Sequence, residues 1–448
     1  MEADESAEQR GTLRSMDRAG LASWQLGKLN RVLSEARAEN PLYREKLRST
    51  PDRLGGIEQL AELPLTTKDE LQPAGGERYA RNLTHDPSAY VRYHQTSGTR
   101  GRPLAVLDTA GDWAWWVRCW QHVLDAAGVE AGDRAALAFS FGPFIGFWSA
   151  FDALAARDVL VIPGGGMNTL ARIDLIEKTG ATRLFCTPNY AMHLAEAAHA
   201  HGVHLAELPI ETIVVAGEPG GSVPAVRQRI EQAWAATVID HAGATEVGAW
   251  GYGDAEGRGL RVIESEFVAE FLSVETGRPA ADGELSHLVL TTLGRFGCPV
   301  IRYRTGDLVR PRRTDEGSDR FVFLEGGVLG RADDMLVIRG VNIFPTAVEQ
   351  LLRGFPEVVD YRMTARKRGE MDELVIEVED HLAQPGRIAE ELRLRLGLRI
   401  DVRLAPAMSL PRSEGKSQRF VDLRAAEESS AEEATAGGAS NARGGGDG

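Results

Sequence analysis

The sequence predicts an α/β fold in which helices cover a parallel sheet, followed by a smaller α+β domain. In the middle of the chain, short apolar runs alternate with segments of helical periodicity. Five runs are typical of buried strands: "AALAFSFG", "DVLVIPGGG", "RLFCTP", "TIVVAGE" and "ATVIDHAG". Because repeated strand–helix–strand units pair their strands in parallel, we expect a parallel sheet with helices on both faces.

The segments around these strands carry apolar residues at helical spacing, as in "LARIDLIEKTG", "NYAMHLAEAAHAHG" and "SVPAVRQRIEQAWA". A helix that precedes the first of these strands carries large side chains on one face: Trp113, Trp116, Val117, Trp120, Val123 and Leu124. An aromatic stripe at this spacing is more typical of core packing than of a ligand site. We therefore expect the stripe to be buried.

The order of the predicted elements changes after Arg331. Here "MLVIRGVNI", "EVVDYRMTA", "ELVIEVED" and "IDVRLA" predict strands, and "TAVEQLLRGF" and "RIAEELRLRLG" predict helices. This order indicates an N-terminal domain over residues 1–330 and a C-terminal domain over residues 331–424, joined near "LGRADDM". Residues 425–448 lack large aliphatic side chains and are predicted to be a disordered tail, and the first residues are expected to be disordered as well.

The composition excludes several classes of protein. The chain has 448 residues, of which 43% are hydrophobic and 26% charged, as in ordinary globular proteins. A net charge of −14 without a basic run argues against binding to nucleic acid or to an anionic membrane. Cys119, Cys186 and Cys298 lie far apart, so neither a disulfide framework nor zinc is expected. The acidic N-terminus and the lack of a long apolar segment predict a cytoplasmic protein.

A glycine-rich run, "YHQTSGTRGRPLAV" from Tyr93, separates two short strand-like segments. Its glycines permit close backbone approach, its hydroxyl groups can donate hydrogen bonds, and its arginines add positive charge. These features suit an anion such as phosphate, although serine, threonine and glycine are also common in ordinary loops. The run does not match the Walker motif, because Gly101 is followed by Arg102 and Pro103.

Five further polar stretches follow in a definite order: "VAGEPGG", "DHAGATEVG", "VIRYRTGDLV", "GRADDMLVIRGVNIFP" and "SLPRSEGKSQRFVDLR". Together with the glycine-rich run, they resemble the adenylate-forming superfamily of acyl-CoA synthetases, adenylation domains and luciferases. The resemblance is strongest to the phenylacetate-CoA ligase branch and extends from Tyr93 to Arg424. It implies a large adenylate-forming domain and a small α+β domain connected by a hinge.

The resemblance implies that ATP and Mg²⁺ activate a carboxylic acid to an acyl-adenylate, which then passes to a thiol, usually that of coenzyme A. It assigns nucleotide binding to Thr96, Ser97, Gly98, Thr99, Arg100, Gly101, Gly217, Glu218, Pro219, Asp307 and Arg331. Asp307 would accept the ribose hydroxyls, Glu218 and Pro219 would line the adenine pocket, and Arg331 would reach the ribose or the α-phosphate. Taken alone, Asp307 could be a turn residue and Glu218 a surface charge.

Three residues are assigned to catalysis by the same resemblance. Glu246 would hold Mg²⁺, Thr245 would face the α-phosphate, and Lys416 would reach the α-phosphate during adenylation. The alternative for Lys416 is an ordinary solvated lysine. Asp333 would be the hinge about which the C-terminal domain rotates between the two half-reactions.

Two positions depart from the family pattern. Ala242 stands where the branch has a tyrosine that stacks on adenine, so this aromatic face is missing or comes from another residue. Arg100 stands where threonine is usual; it keeps a hydrogen-bond donor and adds charge, so we expect triphosphate binding to be intact or strengthened.

The acyl pocket is expected to combine aromatic and small residues: Phe141, Gly142, Phe144, Phe147, Gly217, Ala242, Gly243 and Ala244. Such a lining suits a flat ring, so an aryl or arylacetic acid is expected. Three functions stay open: a CoA ligase, a ligase that passes the acyl group to an amine or a carrier-protein thiol, and a non-catalytic ligand-binding relative. The oligomeric state also stays open, with a homodimer as one form.

Overall fold

The computed structural model describes residues 6–96, 103–139, 142–314, 316–332, 336–338, 341–343, 345–368, 371–396, 398–410 and 419–424. The chain separates into two compact units, Met1–Ala332 and Asp333–Gly448. The first unit ends at residue 332, where the sequence predicts 330. The predicted tail over residues 425–448 lies outside the described residues. Residues 1–5, where disorder is expected, also lie outside the described residues, and the first helix begins at Ala7.

The first unit begins with four helices: α1 (Ala7–Ser15), α2 (Arg18–Glu39), α3 (Pro41–Lys46) and α4 (Lys68–Leu71). The next elements are β1 (Arg92–Gln95), β2 (Ala105–Asp108), α5 (Ala110–Ala126), β3 (Arg134–Leu137), α6 (Ile145–Ala155), β4 (Leu160–Pro163), α7 (Thr169–Thr179), β5 (Arg183–Cys186), α8 (Pro188–Ala200), β6 (Thr212–Ala216), α9 (Pro224–Trp234) and β7 (Thr237–Ala244). The unit closes with β8 (Gly248–Gly253), β9 (Gly259–Val262), β10 (Phe267–Ser273), β11 (Ser286–Thr292), β12 (Tyr303–Val309), β13 (Pro311–Arg312), β14 (Phe323–Glu325) and β15 (Gly330–Arg331).

The main sheet has nine strands in the order β13-β14-β9-β8-β7-β6-β5-β3-β4 within the described part of the chain. The predicted strands, β3 to β7, are parallel. Beyond β7 the sheet continues with antiparallel pairs, which the sequence does not predict. These strands are β8, β9, β14 and β13. Residues 245–247 between β7 and β8 are too few for a crossover, so the chain must turn back on itself.

A second sheet is antiparallel and has the order β10-β11-β12-β15. Within it, Asp307 of β12 lies directly opposite Arg331 of β15. Because residues directly opposite each other on antiparallel strands have neighbouring side chains, this register brings together two residues that are 24 positions apart in the chain.

Helix α2 docks on the segment that leads into β10. The Arg18 guanidinium pairs with Glu264 at 2.8 Å, and the Gln25 amide donates to the Glu264 carbonyl at 2.9 Å. One turn further on, the Lys28 ammonium pairs with the buried Glu266 carboxylate at 2.6 Å. Charged and polar contacts therefore fix α2 to a region more than 230 residues later in the chain.

The predicted aromatic stripe lies on α5 and forms part of the largest hydrophobic cluster of the first unit. Trp113, Trp116, Trp120, Val123 and Leu124 are buried, and Val117 packs at the edge of the cluster. This confirms the packing interpretation. No helix within the described ranges is long and apolar enough to cross a membrane.

The second unit contains β16 (Leu336–Ile338), β17 (Val341–Ile343), α10 (Pro345–Arg353), β18 (Val358–Arg368), β19 (Met371–Asp380), α11 (Pro385–Leu396), β20 (Asp401–Leu404) and β21 (Phe420–Asp422). The run predicted as one strand, "MLVIRGVNI", forms the antiparallel pair β16 and β17. The remaining strands form a sheet in the order β20-β19-β18-β21. Strand β21 was not predicted; it pairs in parallel with β18.

Candidate active site

Glu246 lies in the turn that connects β7 to β8, at the point where the main sheet changes from parallel to antiparallel pairing. Its side chain is largely buried, with 9% exposed. The Tyr303 hydroxyl donates to Glu246 Oε1 at 2.9 Å, and the Lys68 ammonium lies 3.6 Å from the same oxygen. Tyr303 is the first residue of β12, so this contact joins the main sheet to the antiparallel sheet β10-β11-β12-β15. The turn thus presents a carboxylate that is held from one side.

Asp307 and Arg331 form the second part of the site. Arg331 Nη1 donates to Asp307 Oδ1 at 2.9 Å and to the Thr305 carbonyl at 2.6 Å. Between these two acceptors lies Gly306, whose φ of +81° favours glycine. A Cβ atom at Gly306 would lie 2.8 Å from Arg331 Cζ, so a side chain there would displace the guanidinium. Glycine is therefore favoured here by the backbone conformation, and its lack of a side chain leaves room for the Arg331 guanidinium.

The charges of the Glu246 and Asp307 parts of the site influence each other's surroundings. Burial raises the pKa of Asp307, and Arg331 offsets part of that effect, while the nearby Glu246 adds to it. Burial also raises the pKa of Tyr303, as does the neighbouring Glu246 carboxylate, so Tyr303 keeps its proton and acts as a donor. Glu246, Tyr303, Asp307 and Arg331 therefore form one charged cluster.

The structure describes the two ends of the glycine-rich run, residues 93–96 and 103–106. Thr96 is buried, and its hydroxyl accepts a hydrogen bond from the Leu104 amide at 3.0 Å. Its own amide donates to the Leu104 carbonyl at 3.0 Å, which closes the base of the run between β1 and β2. Ser97, Gly98, Thr99, Arg100 and Gly101 lie outside the described residues, as do Phe141, Asp333 and Lys416.

Gly217, Glu218 and Pro219 follow the carboxyl end of β6, where open α/β sheets bind ligands. The Glu218 carboxylate accepts a hydrogen bond from the Asn189 amide at 2.9 Å, at the start of α8. Glu218 therefore stabilises a helix N-terminus, where a negative charge is favourable. Glu218 therefore has a structural role in holding the start of α8.

The residues predicted for the acyl pocket lie in different environments. Phe147 is buried in the main hydrophobic cluster, and Ala242 and Ala244 pack at the edge of that cluster. Phe144, immediately before α6, is 46% exposed, and the Gly142 carbonyl accepts a hydrogen bond from Trp148 Nε1 at 3.0 Å. Gly243, between the two alanines, is exposed. Small residues thus line the end of β7, while Phe147 belongs to the core.

Two side chains next to Glu246 were not singled out by the sequence analysis. Lys68 begins α4, which is started by a capping box between Thr67 and Glu70. Tyr303 lies within the stretch "VIRYRTGDLV" but received no role. The capping pattern predicts where α4 begins, yet nothing in the local sequence indicates that residue 68 reaches residue 246.

The described residues fit the magnesium ion implied by the resemblance. Within the described ranges, no group of three or more His, Cys, Asp or Glu residues could hold a metal ion, and no hydrogen bond is donated to Glu246 Oε2. A single available carboxylate oxygen suits Mg²⁺, which usually takes one or two protein carboxylates together with water and substrate phosphates. Glu246 would hold the ion through Oε2.

The sequence is similar to known proteins over most of its length. Residues 340–424 match the model of the AMP-binding enzyme C-terminal domain. The phenylacetate-coenzyme A ligase of Thermus thermophilus is 32% identical over 92% of this chain and 98% of its own length. The chain belongs to the phenylacetate-coenzyme A ligase family. The enzyme of the same name from Escherichia coli is 32% identical over 90% of this chain and 95% of its own length.

A solved structure supports the fold. A crystal structure of 2-hydroxyisobutyryl-CoA ligase in the postadenylation state, in complex with R3-HIB-AMP, covers 97% of this chain with a TM-score of 0.87. Its sequence identity is 24%, so this likeness bears on the fold alone. The predicted α/β fold with a small C-terminal domain is confirmed, and so is the predicted family.

Proposed function

We propose that this protein is an AMP-forming carboxylate–CoA ligase that activates an aryl or arylacetic acid with ATP and then transfers the acyl group to coenzyme A. The observation that carries the proposal is the convergence of four side chains at the junction of the main sheet and the antiparallel sheet β10-β11-β12-β15, in a chain of this family: Glu246, Tyr303, Asp307 and Arg331. Together they provide a metal-binding carboxylate and a hydroxyl-accepting carboxylate, each with a fixed partner.

In the first half-reaction, a carboxylate oxygen of the acid attacks the α-phosphorus of ATP, and the bond to pyrophosphate breaks. Positioning and charge stabilisation carry such a step, because negative charge is redistributed over the phosphates. Magnesium, when bound, neutralises part of this charge. Thr245 faces the α-phosphate, and residues 96–101 hold the triphosphate, with Arg100 or Arg102 as countercharge.

The nucleoside is held by Asp307 and Arg331 in this proposal. Because Asp307 Oδ1 already accepts from Arg331, Oδ2 is the oxygen that accepts a ribose hydroxyl. The carboxylate must be ionised for this role, since an ionised carboxylate offers only acceptors. Gly217, Glu218 and Pro219 border the adenine, with Glu218 also holding the start of α8.

In the second half-reaction, the sulfur of coenzyme A attacks the acyl carbon, AMP leaves, and the thiol proton passes to solvent. Lys416 acts in the first step, and rotation about Asp333 exchanges the surfaces that face the adenylate. The acid is aromatic because Phe141, Phe144, Ala242, Gly243 and Ala244 combine aromatic and small side chains, as a flat ring requires.

A panel of carboxylic acids tests the proposal. The protein is mixed with ATP, Mg²⁺ and each acid, pyrophosphate release is measured, and products are identified by mass with coenzyme A or with amines as acceptors. Release of pyrophosphate and AMP with an aryl or arylacetic acid, together with an acyl-CoA product, is the expected result. ADP as the product excludes adenylation. An acyl-amide as the sole product assigns the acceptor to the amide-forming alternative, and no release with any acid favours a non-catalytic relative.

The proposal also covers the cellular location, the partners and the assembly of the protein. We infer a cytoplasmic protein with no nucleic acid or membrane partner; its assembly stays open between a monomer and a homodimer. A carrier-protein thiol in place of coenzyme A is separated by adding a phosphopantetheine-bearing carrier to the acceptor panel. Size-exclusion chromatography with light scattering measures the assembly, and a monomer at all concentrations rules out the homodimer.

A further inference from the structure

A fully buried ion pair lies behind the Glu246 turn. Arg295 and Asp108 are both completely buried, with Arg295 Nε donating to Asp108 Oδ1 at 2.8 Å and Nη2 lying 2.7 Å from the same oxygen. Asp108 ends β2, and Arg295 lies in the loop between β11 and β12. A buried charge pair is costly to maintain and adds little net stability compared with apolar residues of the same size. Its presence therefore needs a reason other than stability.

The third contact of Arg295 supplies that reason. Arg295 Nη1 donates to the Thr245 carbonyl at 3.2 Å, and Thr245 directly precedes Glu246 in the turn between β7 and β8. One guanidinium thus connects the turn that carries the proposed metal carboxylate to β2, whose partner β1 leads into the glycine-rich run. The planar guanidinium can make both contacts at once because its donors point in fixed, divergent directions.

The backbone around Arg295 is itself fixed on both sides. The Leu293 amide donates to the Glu266 carbonyl at 2.9 Å, and the Gly297 amide donates to Asp112 Oδ1 at 3.0 Å, near the start of α5. The Arg295 guanidinium also lies 5.6 Å from the centre of the Trp116 ring, within cation–π range. An arginine held in this way can transmit the position of β2 and α5 to the turn.

We infer that Arg295 is a positioning residue for the first half-reaction: it holds the Thr245–Glu246 turn at a fixed place relative to β2. The inference rests on the proposed function for its catalytic consequence, but not for its structural one. Displacing a metal carboxylate by a fraction of an ångström weakens metal binding and the alignment of the phosphates, since catalysis by positioning is sensitive to such shifts. The second half-reaction does not use the triphosphate or its metal, but the phosphate of the adenylate still faces Thr245, so this step should be affected less than the first.

The test uses a double variant, Asp108→Leu with Arg295→Met. Replacing a buried ion pair by apolar residues of similar size is often neutral for stability, and here it removes the bond to the Thr245 carbonyl. It also removes the acceptor of Trp116 Nε1, which donates to Asp108 Oδ1 at 3.3 Å, so folding of the variant is checked by its Tm. The single variant Arg295→Lys keeps the cation and three donors and should recover part of the function. Arg183→Met is the control, because Arg183 is a buried, ion-paired arginine at the opposite, amino-terminal end of β5.

Three measurements are made on each full-length variant. ATP–pyrophosphate exchange is titrated with Mg²⁺, acyl-CoA formation is measured from a supplied acyl-adenylate, and hydrogen exchange is followed in the peptide spanning the turn. In the double variant we expect the half-saturating Mg²⁺ concentration to rise at least about tenfold. We expect a smaller loss in the rate from the supplied adenylate than in the exchange rate. We also expect faster hydrogen exchange of the Val247 amide, which donates to the Ala244 carbonyl within the turn.

The outcomes separate the inference from the proposed function. Unchanged hydrogen exchange in the turn overturns the inference whether or not the protein is active. An equal loss in both half-reactions, or a Mg²⁺ requirement like that of Arg183→Met, overturns it as well. Absence of exchange in the unmodified protein with every acid refutes the proposed function, while the hydrogen-exchange comparison still decides whether Arg295 holds the turn.

Discussion

Replacing Gly306 by alanine gives a direct test of the assignment of Asp307 and Arg331 to the nucleotide. Gly306 has φ of +81°, and a non-glycine residue in the left-handed region costs about 1–2 kcal/mol. The new methyl group would also lie 2.8 Å from Arg331 Cζ, so the guanidinium must move away from the Thr305 carbonyl and from Asp307. Folding is thus strained and the carboxylate loses its partner.

The effect on nucleotide binding follows from the lost contact. A hydrogen bond to a charged group contributes about 1.5–3 kcal/mol. If Asp307 is no longer held in place to accept a ribose hydroxyl, the Kd for ATP should rise about 10- to 100-fold, at about 1.4 kcal/mol for each factor of ten. The Kd is measured by calorimetry in the presence of Mg²⁺, and Tm by differential scanning calorimetry.

Gly283→Ala is the matched control for this experiment. Gly283 has φ of +78°, and a Cβ atom there would lie 2.5 Å from the Cζ atom of Arg312, a surface arginine that pairs with Glu325. Both variants thus add backbone strain and displace an arginine, but only Gly306→Ala disturbs Asp307. A fall in Tm in both variants with an unchanged Kd for ATP in Gly306→Ala would refute the reasoning, because Asp307 would then be dispensable for nucleotide binding.

Four further predictions follow from the site and its surroundings. Glu246→Gln keeps the size but removes the charge and should lower pyrophosphate exchange at least about 100-fold; exchange at the normal Mg²⁺ requirement contradicts its role. Lys416→Ala should slow adenylation about 100-fold or more and leave transfer from a supplied acyl-adenylate intact. Asp333→Pro should slow the transfer step more than it slows adenylation. Equal effects of a variant on both steps exclude the two-conformation mechanism. Ala242→Tyr should lower the KM for ATP if the new ring gains an aromatic contact of about 1 kcal/mol, or raise it if the ring clashes with a neighbour. An unchanged KM in a folded protein shows that residue 242 does not border the adenine. Burial raises the pKa of Asp240 to about 6, so the folded chain binds a proton more readily than the unfolded one. The free energy of unfolding, relative to that of Asp240→Asn, should therefore rise by on the order of 2 kcal/mol as the pH falls from about 6 to about 4. A difference between the two proteins that does not change with pH contradicts this.

The sequence predicted the parts of the fold that depend on local patterns. Strands β3 to β7 and the helices between them follow from apolar runs and helical spacing, and the buried tryptophan stripe follows from its periodicity. The antiparallel strands beyond β7 were missed because three of the six residues of β8 are glycine, which is depleted in strands, and β9 has only four residues, so neither shows a strand pattern. β16 and β17 were predicted as one strand because the apolar pattern continues across both.

The candidate site was predicted from motifs, and its neighbours were not. The motifs pointed to Glu246, Asp307 and Arg331, which the fold brings into one charged cluster. Lys68 was missed because its place beside Glu246 depends on the packing of α4 against β12, a contact between distant parts of the chain. Arg295 was missed for the same reason, since its role depends on the partners that it reaches and on no local pattern.

The docking of α2 on the segment before β10 has a consequence for synthesis on the ribosome. The partners of Arg18 and Lys28 lie 246 and 238 residues further along the chain, so the N-terminal helices emerge long before their binding surface exists. Contacts between such distant residues form slowly, because the loop between them must close first. Leu29 and Leu33 belong to a cluster with partners between residues 43 and 63, but its distant members Val268, Leu293 and Ile301 are synthesised only after more than half of the protein has been translated. Until then the apolar surface that these three residues cover stays exposed. A chaperone that binds nascent chains would find its first target in this N-terminal segment.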